Sequence, residues 1–84
     1  MVHISQAGNT VVPAILALEA MGMTVEVHPD RIVASSELGH FTADDPVSAL
    51  GLVTLVKLRG ENWQAADDQI ASTWARFPAL ATAG

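Results

Sequence analysis

The sequence predicts a small α+β domain: an antiparallel meander of two to three short strands packed on one side by three helices, in the order α-β-β-(β)-α-α. Three observations predict it. A period-two stretch over residues 23–27 runs into a turn and a second apolar run over residues 32–36, which together read as a hairpin. Apolar side chains at helical spacing lie on both sides of that hairpin, over residues 11–21, over residues 46–59 and from residue 67 onward. With 84 residues, 50% of them hydrophobic and 15% charged, the chain has enough apolar surface for one core and too little length for two. The expectation is a single domain over 1–84, its core within about 10–77 and the tail 78–84 frayed.

Taken in order, residues 2–5 alternate apolar and polar side chains and are expected to form a short strand. Gly8, Asn9 and Thr10 break the chain, and the Thr10 hydroxyl suits a helix N-cap. Pro13 fits the first turn, whose amides lack intrahelical partners. Ile15, Leu16, Leu18 and Met21 then follow at helical spacing, and Gly22 supplies the left-handed residue that ends a helix.

In the next segment Met23, Val25 and Val27 share one strand face, while Thr24, Glu26 and His28 share the other. Pro29-Asp30 turns the chain into the strand at 32–36. Glu37-Leu38-Gly39 turns it again into a short third strand from His40 to Ala43.

Asp44-Asp45-Pro46 is the strongest local signal, an aspartate cap followed by proline at the first helical position. The helix that follows is apolar nearly all round and therefore needs cover on two sides. Lys57 and Arg59 suit the negative end of its dipole, and Gly60 closes it. A loop around Trp63 leads to Asp67 and Asp68, an acidic helix start. Ile70, Trp74 and Phe77 form one stripe at i, i+4 and i+7, ended by Pro78. Both tryptophans are expected in the core, Trp74 above all, with Trp63 as an interface anchor in the alternative.

Composition excludes several functions. Without cysteine there is no disulfide, no thiolate nucleophile and no sulfur-ligated zinc. A net charge of −5 with four basic residues spread along the chain opposes binding to phosphate backbones, so no nucleic acid is expected. The most apolar run, 47–58, is interrupted by Thr54 and Lys57 and falls short of the roughly 18 residues a membrane span needs, so no membrane partner is expected either. No basic stretch followed by an apolar one stands near Met1, which makes the cytoplasm the expected location.

The residue types of several active sites occur without their spacing. His28 ends the first meander strand and His40 begins the third, which puts the two imidazoles at opposite ends of the sheet, and His3 has no evident partner. Ser35, Ser36, His40 and Asp44 have the chemistry of a hydrolytic triad but no nucleophile elbow or oxyanion loop around them. The pairs Asp44/Asp45 and Asp67/Asp68 are accounted for as helix starts. Gly8-Asn9-Thr10 lacks the glycine pattern and lysine of a phosphate loop.

No catalytic, cofactor-binding or metal-ligating residue is therefore assigned, and no cofactor is expected. The expected role is that of a small non-catalytic interaction or accessory protein that binds or neutralises another protein. Surplus apolar surface on so short a chain adds the expectation of a homodimer. Trp63, Glu26, His28 and His40 are the candidate interaction residues. The alternative is a small enzyme or ligand binder whose site lies on the histidine- and aspartate-bearing sheet face.

Overall fold

The computed structural model describes residues 1–81. Its elements are α1 (Val11–Ala20), β1 (Thr24–Val27), β2 (Ile32–Ser36), β3 (Gly39–Ala43), α2 (Pro46–Arg59), α3 (Asp67–Arg76) and a short α4 (Pro78–Ala81). The three strands form one antiparallel sheet in the order β1-β2-β3, and the α+β class is the one the sequence predicts.

A single 3₁₀ turn, Gly8–Thr10, leads into α1. The Thr10 hydroxyl does not cap the helix. It donates backward to the Ala7 carbonyl at 2.6 Å, because Thr10 already has helical backbone angles and its side chain cannot reach a first-turn amide. The other end follows expectation closely. Gly22, at φ 83°, donates to the Glu19 carbonyl at 2.9 Å, while Met23 donates to Leu18 at 3.1 Å. This is the double bond of a Schellman stop, and Met23 and Leu18 are both buried in the core beside it.

Two-residue turns at Pro29-Asp30 and Glu37-Leu38 set the sheet register. It places Val25, Ala34 and Phe41 side by side on one face, next to Val27, Ile32 and Ala43. Thr24, Ser35 and His40 line up on the other face, beside Glu26, Val33 and Thr42. β2 is the central strand, and Ile32, Val33 and Ala34 are all buried in it. Val33 is buried on the otherwise polar face because Glu26 and Thr42 flank it from both neighbouring strands.

α2 begins where Asp45 caps it. One carboxylate oxygen accepts from the Ser48 amide at 2.8 Å, and the other accepts from the Ser48 hydroxyl at 3.0 Å. Pro46 takes the first helical position, and Gly60, at φ 82°, closes the helix with its amide donating to Val56 at 2.7 Å. α2 packs against α1 and against β2 and β3, which buries Ala49 and Val53, while Leu52 and Leu58 remain exposed. The core lies between these layers: Leu18, Met23, Ile32, Ala34, Ala49 and Val53.

Three expectations are corrected. Within the described residues, 2–5 form no strand; Met1, Val2 and Ile4 stand exposed, since four residues with no neighbouring strand have no ladder to join. Two helices rather than three pack on the sheet, because α3 has its main contacts with α4 and buries none of its residues. Trp63 and Trp74 are accordingly absent from the core, which is filled by aliphatic side chains small enough to fit between two short helices and a thin sheet. The tail expected to fray, 78–84, begins with the helical turn of α4, and the remainder lies outside the described residues.

The standing-off of α3 is visible in global dimensions. The radius of gyration is 14.9 Å, against about 12 Å for a compact chain of this length. The accessible surface is 6348 Å², against roughly 4,800 Å² for a folded monomer of this mass.

Candidate functional site

The first turn of α3 carries Asp67 and Asp68 as predicted, although neither caps it. Ala66 occupies the cap position, and its free amide is taken by the Gln69 side chain, whose Oε1 accepts at 2.8 Å. One face of the helix then presents Ile70, Trp74 and Phe77, exposed to 42%, 45% and 51%. The Arg76 guanidinium lies 5.3 Å from the centre of the Phe77 ring and continues the stripe with a cation–π contact. The spacing of this stripe was legible in the sequence. What was missed is that it stays about half exposed in the single chain.

Beside the stripe in sequence lies a cleft of about 320 Å³. Phe41 and Thr42 of β3 form one wall, Leu52, Leu55 and Val56 of α2 the other, and Trp63 and His40 stand at the rim. A shallower extension, about 240 Å³, continues from His40 and Trp63 past Leu38 and Glu61. Trp63, exposed to 44%, is positioned by Arg59. The guanidinium Nε donates to the Trp63 carbonyl at 2.8 Å, and Nη2 donates to the Gln64 carbonyl at 3.4 Å. The same two bonds tie the loop after α2 to the end of that helix.

Of the four candidate interaction residues, the structure brings His40 and Trp63 together at this cleft. Glu26 and His28 pair with each other instead, Oε2 to Nε2 at 3.7 Å, on the outer strand β1. In the register His40 stands level with Thr24, four residues before His28, so the two histidines are separated by roughly 13 Å along the strands and by two strand spacings across them. Among the described residues no three His, Asp or Glu side chains converge in a way that would hold a metal ion.

The hydrolytic residue types are partly assembled. Ser35 is the direct cross-strand neighbour of His40, but no hydrogen bond links them among the described residues. Ser36 is occupied in the turn, its Oγ accepting from the Leu38 amide at 3.0 Å, and Asp44 follows the far end of β3. A second cleft, about 410 Å³, lies between residues preceding α1 and the start of α2, lined by Ile4, Asn9, Pro13, Val47 and Leu50 among others. No titratable group lines it.

The described residues therefore carry a half-exposed apolar stripe on α3 and an apolar cleft between β3 and α2, and no three of their His, Asp or Glu side chains converge. No helix among them is long and apolar enough to cross a membrane. Comparisons with protein-family models, with curated proteins and with solved structures find no match.

Proposed function

We propose that the chain is a small non-catalytic interaction protein that works by apolar docking of another protein chain on its C-terminal third, in a homodimer or with a different partner. The observation that carries this reading is the half-exposed stripe Ile70, Trp74 and Phe77, together with Trp63 at the rim of an apolar cleft. Tryptophan and other aromatic anchors dominate binding energy where protein surfaces meet. Exposing this many of them in one region of a small chain is a feature of interaction surfaces.

A photo-crosslinking amino acid placed at position 74 tests it, with position 19 on the exposed far face of α1 as the control. Discrete adducts to a protein chain are expected from position 74 and not from position 19. Equal, diffuse labelling from both positions would refute the docking surface.

One observation favours a second reading, the small enzyme or ligand binder on the polar sheet face: Ser35 and His40 are cross-strand neighbours there. On that reading a fluorophosphonate probe labels Ser35, and His40→Ala abolishes the labelling. An unlabelled wild-type chain would dismiss it.

A further inference from the structure

Building on the reading of this surface as a docking face, we propose that its occupant is a second copy of the chain, with α3 of each molecule seated in the cleft between β3 and α2 of the other. One chain carries both complementary halves: a convex apolar stripe on α3, and a concave apolar cleft bordered by Trp63. Within the single molecule they do not meet: Arg59 holds the carbonyls of Trp63 and Gln64 beside the cleft, and no residue of α3 lines it. A second molecule related by a twofold axis brings each stripe to the other's cleft, and the exchange closes with both sites filled.

The areas agree with this. The chain exposes roughly 1,500 Å² more than a compact monomer of its mass, shared between its exposed N-terminal residues and its C-terminal region, and a stable dimer needs about 800 Å² per partner. The helix itself needs a surface: an isolated helix as short as the ten residues of α3 is marginal in water, and none of its residues is fully buried within its own chain. Charge is complementary as well. α3 starts with Asp67 and Asp68, and the end of α2 beside the cleft carries Lys57 and Arg59, two of the chain's four basic residues. Lys57 has no ion-pair partner among the described residues.

Sedimentation equilibrium and light scattering on the full chain at micromolar concentration test the proposal. The wild type is expected to be a dimer. Trp74→Glu on the helix and Leu52→Glu in the cleft each remove a hot-spot side chain from both helix–cleft pairs of the dimer and weaken dimerisation by at least ~30-fold. Mixing these two variants restores a heterodimer, because one intact helix–cleft pair remains in it. Simple pairing of α3 with α3 predicts neither the effect of Leu52→Glu nor the rescue.

Far-UV circular dichroism checks that each variant is folded. Should Leu52→Glu fail that check, Thr42→Lys on the exposed edge of the same cleft replaces it. A monomeric wild type, a dimer indifferent to the cleft variants, or a mixture that stays monomeric would each overturn the exchange. If the wild type is monomeric and position 74 still crosslinks a different protein, the second copy is refuted and the docking reading stands. If it is monomeric and position 74 crosslinks nothing, both fall.

Discussion

Asp45 shows how much one side chain does at the start of α2. Its carboxylate accepts the Ser48 amide first of all, then the Ser48 hydroxyl, with the Val47 amide as a lesser contributor; these bonds hold its pKa below the ordinary aspartate value. A carboxylate depressed in the folded state adds stability that is present above its unfolded pKa of about 3.9 and disappears as pH falls through the lower folded value. Asp45→Ala is therefore expected to lower Tm at neutral pH, and its gap from wild type should narrow as the pH drops below the unfolded value. Asp44→Ala, which removes no such cap, serves as the control. Thermal melts across that pH range check this, and a gap independent of pH would contradict the capping role. Sequence named Asp45 correctly because an aspartate cap before proline needs only local geometry. It erred at Thr10 because a preceding 3₁₀ turn, invisible to composition, had already taken that residue's backbone into helical angles.

At the level of elements, α2 has one glycine inside it and one at its C-cap, with opposite expected behaviour. Gly60 closes the helix at φ 82°, where an L side chain is strained, so Gly60→Ala should destabilise by about 1 kcal/mol. Gly51 lies in the helix interior, and a Cβ there would meet nothing within 4 Å. Gly51→Ala should then stabilise by roughly 0.5–1 kcal/mol through helix propensity alone. Urea unfolding of both variants measures the two signs, and a loss of stability at Gly51 would show that its surface is covered. α2 was legible to the residue at both ends since caps punctuate it. For α3 the sequence revealed which face is apolar but not what covers it, because periodicity orients a helix without naming its neighbour.

Across the whole molecule, stability is concentrated in the two-layer sandwich of α1 and α2 on the sheet. Leu18 is fully buried where α1 meets the sheet, and Leu18→Ala should cost about 2–5 kcal/mol. Denaturant unfolding would measure it. A loss below that range would mean the sandwich repacks around the cavity. The C-terminal helices lie outside this sandwich, and with the exposed N-terminal segment they give the molecule its large dimensions. The candidate residues divide by the same logic. His40 and Trp63 meet only because β3 and the loop after α2 border one cleft, whereas Glu26 and His28 are two apart on one strand and so share a face from the sequence onward.

Local chemistry was sufficient to determine the class of fold, the meander and its faces, and the limits of α2. These depend on spacing, turn residues and caps within a few positions of each other. Tertiary structure alone decided where the tryptophans lie and that α3 stands off the sheet. Burial depends on whether another element occupies the facing volume, and in this chain two short helices already fill the space above the sheet.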